Sequence, residues 1–386
     1  MRSKPAVDRE VFVAAAAKLR SVGTPQRNIA EQLDVSQGEV SRLLEDARRT
    51  GWLAENPEFK KADDAVWNLA EQYFFSAART LDRLRATFER TDGGKLLNRA
   101  TLIDVLPGGS IAPASARIVA ALLGQAHLVG VTWGNTLSGL VDALGKLVEA
   151  PRRRGATHQV QFVPLCGEPL RDPGDPSNHS SSVLALRLTS AFNPGYRADR
   201  TTPSIAGVQA FIPLEFRKGA EVETIRRFIS RVRGYTHVFG AADQQAANGP
   251  PLANRLDAIL TSVGTVEGRH RGIFLNERIA SGDISELDLE RTSVGDVGGV
   301  IIPAAGISRA EEDRIKAMND RWTGVRLEHL RHCAETAMTA GFTPEKPGVL
   351  MLAVGARRRK IVLRCIELGL VNELIIDREL DHALAA

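Results

Sequence analysis

Short apolar runs alternate with helix-like segments from about Arg99 to the C-terminus, and this alternation restricts the fold more than any other feature. The runs are rich in Val, Ile and Leu and end at Gly, Pro or polar residues, as buried strands do. Such alternation is typical of an α/β domain with a mainly parallel sheet. The predicted strands lie in TLIDVLP, AHLVGVTW, QVQFVPL, SIAGVQAFIP, LDAILTSVG, GGVIIP, VLMLAVG and NELIIDR. The predicted helices are Ser115–Leu123, Leu137–Val148, Ser181–Ala191, Val222–Val232 and Lys360–Leu368.

Two strand-to-helix junctions are candidates for binding an anion. Ligands of α/β sheets bind beyond the carboxyl ends of the strands, where helix N-termini present unpaired N–H groups. Gly134, Asn135 and Thr136 form one junction, and Arg358 lies in a run of four cations that opens a helix after Gly355. Because cations at a helix N-terminus oppose the macrodipole, the run either serves an anionic guest or forms a solvated basic face.

Two further polar residues are candidates for lining a ligand pocket. Asp296 lies between glycines in SVGDVGGVIIP, where it either accepts hydrogen bonds from ligand hydroxyls or only fixes the turn. His179 lies in the Pro-, Gly- and Ser-rich segment DPGDPSNHSSS, for which a flexible surface loop is the alternative interpretation. No spacing identifies a partner for His179, so it is assigned no catalytic role.

The N-terminal segment NIAEQLDVSQGEVSRLLEDARRTGWL predicts two short helices joined by a three-residue turn. Ala30 is small enough for the two helices to cross closely, and Ser36 and Glu39 have the spacing of a capping box. Asp34 stands where many such motifs carry Gly, and Asp is among the residues that accept a left-handed conformation. This pattern is typical of a helix-turn-helix, whose second helix enters the major groove of DNA.

Side chains on the outer face of this predicted motif suit DNA contacts. Gln and Arg can bond base edges bidentately, Ser can bond a base or a phosphate, and flanking arginines can reach phosphates. The alternative is a helical hairpin that docks on another protein. The predicted DNA-binding residues are Arg27, Ser36, Gln37, Gly38, Ser41, Arg42 and Arg48.

Apolar residues recur three and four positions apart between Ala65 and Arg90, over about three heptads. This seam either pairs two chains as a coiled coil or packs as an amphipathic helix on its own domain. Pairing would place two DNA-reading heads on one duplex, at half-sites separated by whole helical turns.

Composition limits the class of protein without naming a function. The 386 residues are enough for two or three domains, and 43% hydrophobic with 25% charged residues is ordinary for a globular protein. A net charge of +4 is compatible with a nucleic-acid partner. We find neither a membrane-spanning run nor a signal peptide, and therefore expect a cytoplasmic protein that does not enter a membrane. Three widely separated cysteines predict reduced thiols.

Taken together, the motifs resemble the SorC family of bacterial sugar-responsive transcriptional regulators, which are often grouped with DeoR-type regulators. The resemblance rests on IAEQLDVSQGEVSRLLEDARRTGWL, LVGVTWGNTL, LTSVG, VGDVGG and GLVNELIID, between Thr24 and Asp377. It implies a homo-oligomer, a dimer or a tetramer, whose hold on operator DNA changes when a sugar or sugar phosphate binds. It also implies an effector domain similar to sugar-phosphate isomerases of the ribose-isomerase and glucosamine-phosphate-deaminase fold.

The resemblance assigns roles to individual positions. Gly134, Asn135 and Thr136 match the family's phosphate-cradling turn, and Asp296 matches its Gly-Asp-x-Gly segment. Arg358 falls where relatives usually carry a Lys that meets the phosphate of the ligand. With His179 added from its loop, the candidate effector-binding residues are Gly134, Asn135, Thr136, His179, Asp296 and Arg358.

We therefore expect a multidomain α plus α/β protein. Residues 1–56 form a helix-turn-helix domain, 57–92 a helical linker with a candidate dimerisation helix, and 93–386 a mainly parallel α/β effector domain. The expected function is sequence-specific transcription regulation controlled by a sugar, polyol or sugar phosphate, with no cofactor, metal or catalysis. The alternative is a sugar-phosphate isomerase or deaminase with a DNA-binding head, although the acids Asp243, Glu267 and Asp296 have no spacing that marks a general base.

Overall fold

The computed structural model divides into two compact units, and the larger one begins at Thr80. In the parts of the chain that the structure describes, no helix is both long and apolar enough to cross a bilayer. Cys166, Cys333 and Cys365 are buried free thiols. The residues described are 8–21, 24–54, 66, 78–103, 111–148, 159–168, 180–193, 196–197, 202–213, 219–240, 250–268 and 271–385.

Three helices make up the described core of the small unit: α1 (Arg9–Ser21), α2 (Gln26–Leu33) and α3 (Gln37–Arg49). The apolar residues that the spacing assigns to the inner faces of α2 and α3 are buried against α1. Four consecutive alanines of α1, residues 14–17, are also fully buried, and their small side chains suit closely packed helices. The core is completed by Ile29, Leu33, Val40, Leu43 and Leu44.

The turn between α2 and α3 has the predicted left-handed residue and half of the predicted capping box. Asp34 adopts φ 55° and ψ 49°, and Ser36 Oγ accepts a hydrogen bond of 3.2 Å from Glu39 N. The other half, a hydrogen bond from Ser36 N to the Glu39 carboxylate, is not formed, because the carboxylate pairs with Arg9 at 2.9 Å and with Arg42 at 3.1 Å. Pro25 is the N-cap of α2, and the helix begins at Gln26.

The large unit is built on a mainly parallel sheet of eight strands. Six of them are parallel in the order β1-β8-β7-β4-β2-β3, and β5 and β6 form an antiparallel hairpin that pairs with β4 through β5. Strands β2, β7 and β8 are buried along their whole length, as strands covered on both faces are. The strands are β1 (Arg99–Ile103), β2 (Leu128–Val131), β3 (Gln161–Pro164), β4 (Ala258–Thr265), β5 (Ser293–Val297), β6 (Val300–Pro303), β7 (Gly348–Ala353) and β8 (Glu373–Asp377).

Helices follow or separate the strands, as the alternation predicts, and the five predicted helices are all present with boundaries shifted by a few residues. The first helix after α3 in the described residues, α4, begins at Ala78, two residues before the large unit begins. The helices are α4 (Ala78–Thr87), α5 (Asp92–Leu96), α6 (Ile111–Leu123), α7 (Asn135–Val148), α8 (Ser181–Phe192), α9 (Gly219–Ile229), α10 (Arg233–Phe239), α11 (Ile273–Ala280), α12 (Glu286–Thr292), α13 (Arg309–Asp320), α14 (Leu327–Thr339), α15 (Arg359–Glu367) and α16 (Arg378–Ala385).

One predicted strand is wrong, and one strand was not predicted. In SIAGVQAFIP only isolated bridges form, because the segment changes partner within a few residues. Ala210 N donates to Glu168 O, whereas Ile212 N donates to Arg321 O, each at 2.8 Å. The unpredicted strand is β5, whose sequence Ser-Val-Gly-Asp-Val lacks the apolar run of a buried strand.

The described end of the predicted seam packs on its own chain. Leu84 is buried, Thr80 Oγ1 donates to Asp381 Oδ1 at 2.5 Å, and the Arg85 guanidinium donates to the carbonyls of Leu97 and Asn98. The intramolecular alternative therefore holds for residues 80–87. Residues 67–77 of the seam lie outside the described residues, so the pairing of two chains stays a prediction.

Candidate functional site

Five of the six predicted effector residues line one pocket of about 130 Å³: Gly134, Asn135, Thr136, Asp296 and Arg358. The pocket, called here the strand-end pocket, lies beyond the carboxyl ends of β2, β4 and β7, which are neighbours in the sheet. The parallel pairing of these strands is therefore what brings distant parts of the sequence together. His179 lies outside the described residues.

The first wall of the strand-end pocket is the junction between β2 and α7. Gly134 has φ +132°, a conformation that side-chain-bearing residues rarely adopt, and its carbonyl accepts the hydrogen bond of Ser138 N at 2.9 Å. Asn135 and Thr136 are the first two residues of α7, where backbone N–H groups have no acceptor within the helix. The junction therefore offers N–H, amide and hydroxyl donors at the positive end of a helix dipole, which suits an oxyanion.

Arg358 supplies a cation to the same pocket. It ends a short 3₁₀ turn after β7, and its Nε donates to Val263 O of β4 at 3.3 Å, while Nη1 donates to Val354 O. Burial lowers the pKa of the Arg358 guanidinium, and the carboxylates of Asp377 and Glu379 oppose that effect. The side chain is thus held at the end of β4 as a partly desolvated cation.

The basic run around Arg358 does not act as one cluster. Arg357 and Lys360 are exposed, and neither lines the strand-end pocket. Arg359 Nε donates to Ala383 O at 2.8 Å, which ties that side chain to the last helix. Of these four cations, the described pocket is lined by Arg358 alone. Arg357 and Lys360 match the alternative of a solvated basic face.

Asp296 fixes its turn, which is one of the two alternatives that the sequence left open, and its role towards a ligand stays a prediction. Its Oδ2 accepts a hydrogen bond of 3.0 Å from Gly299 N and so fixes the turn between β5 and β6. Its Oδ1 is buried, and none of the described residues forms a hydrogen bond with it. Burial raises the pKa of the Asp296 carboxyl to about 6. An acceptor of this kind, left unsatisfied in a pocket, is available to a ligand hydroxyl.

Two aromatic side chains and an arginine of the pocket were missed by sequence reasoning. The ring centroids of Trp133 and Phe274 lie 3.9 Å apart, and Phe274 in turn contacts Trp322 at 4.3 Å, which builds an apolar wall. Trp133 directly precedes Gly134, so the junction itself indicated that Trp133 would lie near the pocket. Phe274 and Arg271 follow β4 in a stretch without hydrophobic periodicity, and nothing local marks them.

The charge of Arg271 is already matched within the protein. Its guanidinium pairs with Glu286 and, at 3.3 Å, with Glu290, while Nε donates to Val266 O at 2.9 Å. The side chain is only 7% exposed. Arg271 therefore shapes the pocket, and Arg358 is the lining cation that is better placed to meet an anionic ligand.

The seven predicted DNA-binding residues are all exposed on the small unit. Three of them, Arg27, Ser36 and Gln37, line a shallow groove between α2 and α3. Some of the seven also have partners within the protein: Ser36 caps α3, Ser41 Oγ donates to Gln37 O at 3.3 Å, and Arg42 pairs with Glu39. The face from the turn through the first turns of α3 is thus open to a partner.

No family model matches the chain, and no curated protein matches its sequence. Solved structures do match it. The full-length sorbitol operon regulator SorC from Klebsiella pneumoniae is 16% identical with a TM-score of 0.52, covering 98% of this chain and 99% of that one. A DeoR family transcriptional regulator from Listeria monocytogenes is 14% identical with a TM-score of 0.51, covering 80% and 99%.

A domain of a possible sugar-binding transcriptional regulator from Arthrobacter aurescens TC1 is 20% identical with a TM-score of 0.51, covering 81% of this chain and 99% of that one. At these identities the likeness establishes the fold. These neighbours are named as regulators of transcription rather than as enzymes. The chain has the fold of the sugar-binding transcriptional regulators of the SorC and DeoR type.

Proposed function

We propose that this protein regulates transcription by binding operator DNA through α3, and that a sugar, polyol or sugar phosphate in the strand-end pocket controls this binding. Residues 1–56 are the DNA-binding domain in this proposal, 57–92 the helical linker and 93–386 the effector domain. The active protein is a homo-oligomer, a dimer or a tetramer, in this proposal, since a single DNA-binding domain contacts too few bases to be specific.

The observation that carries the proposal is that one pocket is lined both by groups that suit an anion and by an acceptor that suits a hydroxyl. Arg358 and the first residues of α7 offer donors to a phosphate, whereas Asp296 Oδ1 offers an unoccupied acceptor to a hydroxyl. Phosphorylated sugars carry both groups. The aromatic wall of Trp133 and Phe274 supplies the apolar surface against which a sugar ring packs.

The exposed face of α3 supports the DNA-binding half of the proposal. Gln37 and Arg42 are base-reading side chains in the first turns of the helix, and Arg27 and Arg48 suit phosphates. The Arg42–Glu39 ion pair is exposed, so DNA can replace Glu39 as the partner of Arg42 at small cost.

Control by an effector requires only that the ligand binds one arrangement of the protein more tightly than the other. A coupling free energy of about 1–3 kcal/mol, or roughly a 5- to 150-fold change in DNA affinity, is typical.

Fluorescence anisotropy of the full-length protein on DNA from upstream of its own gene tests the proposed function, with and without a panel of sugar phosphates and at several salt concentrations. We expect binding that weakens with salt and an affinity that one ligand changes. Binding to no DNA at any salt concentration contradicts the proposal.

Asp296 also favours a second candidate, a sugar-phosphate isomerase or deaminase. A carboxyl whose pKa is raised to about 6 in a pocket has the property of a general base. Asp296 is the single acid among the described lining residues, however, so the described pocket offers no second group to return the proton. Incubation with ribose 5-phosphate and glucosamine 6-phosphate separates the candidates: turnover that Asp296→Asn abolishes supports the enzyme, and the absence of turnover supports the regulator.

A further inference from the structure

A second cavity, of about 550 Å³, lies between α9, the C-terminal end of α13 and the turn that follows α11. It shares no lining residue with the strand-end pocket. Its volume lies in the range of small-molecule sites. Three of its lining residues are arginines, Arg226, Arg314 and Arg321. This cavity is called here the arginine cavity.

Arg321 is a buried cation with an unsatisfied donor. Its side chain is 7% exposed, and Nη2 donates to Asp283 Oδ1 at 2.6 Å. The other oxygen of Asp283 is taken by Arg278 Nη1 at 2.7 Å. Nη1 of Arg321 is buried and has no hydrogen-bond partner among the residues that the structure describes. One carboxylate therefore serves two guanidinium groups and leaves Arg321 a donor short.

Arg226 of α9 is only partly buried, but it also has an unsatisfied donor. Its Nη2 is buried and finds no hydrogen-bond partner in the described part of the chain. Burial lowers the pKa of the Arg226 guanidinium, and the nearby positive charge of Arg326 lowers it further, whereas the carboxylates of Asp320 and Glu223 oppose these effects. Glu223 lines the cavity but is exposed, so water screens its charge.

The third arginine is a weaker determinant, and the lining also includes a third acid, Asp320, whose charge acts on Arg226. Arg314 pairs with Asp288 at 3.3 Å and is about half exposed. Glu277 does not line the cavity. Burial is the largest influence on the pKa of the Arg278 guanidinium and lowers it, whereas the charge of Glu277 raises it. Arg226 and Arg321 thus remain the two lining residues with buried N–H groups that lack an acceptor.

We propose that the arginine cavity binds a small molecule through an oxyanion group, a phosphate or a carboxylate, which accepts hydrogen bonds from the guanidinium groups of Arg226 and Arg321. A buried donor without an acceptor is costly, and charge-assisted bonds from guanidinium to oxyanions are among the strong hydrogen bonds of proteins. Guanidinium also matches the planar geometry of these groups. The protein would then hold two ligands, one in each cavity.

The test uses the full-length protein with Arg358→Gln, so that a phosphate in the strand-end pocket does not obscure the result. Isothermal titration calorimetry is run with inorganic phosphate and, separately, with malonate. We expect this protein to bind phosphate, and the addition of Arg226→Gln to weaken binding by about tenfold or more. The matched control is Arg227→Gln, which removes an exposed arginine of the same helix that does not line the cavity and should leave binding unchanged.

Arg321→Lys provides a second variant, since it keeps the charge beside Asp283 and removes the planar fork, and it should also weaken binding. Far-UV circular dichroism confirms that each variant is folded. Binding of phosphate alone assigns a phosphorylated ligand, and binding of both anions assigns an oxyanion ligand in general. Binding of neither anion, or equal binding by the Arg226→Gln and Arg227→Gln proteins, overturns the proposal. Because the two cavities share no lining residue, that result leaves the proposed function untouched.

Discussion

Gly264 of β4 and Asp296 of β5 lie directly opposite each other in an antiparallel pair, and a Cβ on Gly264 would lie 2.2 Å from Asp296 Oδ1. The carboxylate oxygen therefore occupies the space that any other residue at 264 would fill. Gly272 approaches the same oxygen, since a Cβ on Gly272 would lie 2.3 Å from it. Two glycines far from Asp296 in sequence create the room for the buried acid.

Gly264→Ala should destabilise the protein because the methyl group forces Asp296 or β4 to move. Overpacking of this kind costs about 1–3 kcal/mol of unfolding free energy. The measurement is urea denaturation followed by circular dichroism. Gly145→Ala is the control: it lies within α7, its Cβ would meet nothing within 4 Å, and it should stabilise by roughly 0.5–1 kcal/mol. Equal midpoints for the two variants would contradict the packing described here.

Asp296→Asn should change how stability depends on pH. The folded pKa of about 6 lies above the ordinary 3.8, so between these values the folded state binds the proton and the unfolded state does not. Stability from this group is therefore present at acid pH and lost as pH rises to about 6. At about 1.4 kcal/mol for each pKa unit, the loss is about 3 kcal/mol.

The Asn variant has no carboxyl to titrate, so the difference in unfolding free energy between wild type and variant should change by that amount between about pH 4 and pH 6. Urea denaturation at closely spaced pH values measures it. Glu168 and Glu373, whose pKa values burial also raises, are present in both proteins and cancel in the difference. A difference that is constant over this range would show that Asp296 titrates normally.

Local patterns predicted most of the sheet because its strands are apolar runs bounded by turn residues. They failed where pairing rather than hydrophobicity decides the structure. SIAGVQAFIP has the apolar content of a strand but exchanges its backbone partners, and β5 lacks that content yet pairs with β4 and β6.

The same distinction applies to the pocket. Gly134, Asn135 and Thr136 were predictable because one turn contains all three. The sequence also pointed to Asp296 and Arg358, but their meeting depends on β7 lying beside β4 and on β5 pairing with it. The glycine pair around Asp296 and the contact of Phe274 with Trp133 arise only from tertiary packing, which no local period reports.

Arg358→Ala should weaken a phosphorylated effector by about ten- to a hundredfold, since one charge-assisted hydrogen bond contributes about 1.5–3 kcal/mol. DNA affinity without effector should not change. The measurement is the thermal stabilisation of the protein across a sugar-phosphate titration, which reports ligand binding to the folded state. Arg357→Ala removes an exposed arginine next to it and serves as the control. If both variants respond to the effector as the wild type does, the phosphate does not bind at Arg358.

Arg48→Ala and Gln37→Ala should affect DNA binding in different ways. Arg48 is exposed at the end of α3 and suits a phosphate, so its loss should weaken binding to all sequences and reduce the slope of log K against log salt by about 0.9. Gln37 opens the helix that enters the groove, so its loss should cost about 1–3 kcal/mol on the operator and little on unrelated DNA. Fluorescence anisotropy on operator and scrambled duplexes over a range of salt concentrations measures both effects.

Arg117→Ala removes the same charge from an exposed position of the large unit and should leave the slope unchanged, since that residue lies outside the proposed DNA-binding face. Equal slopes for the Arg48→Ala, Arg117→Ala and wild-type proteins would place the DNA contact elsewhere than on α3.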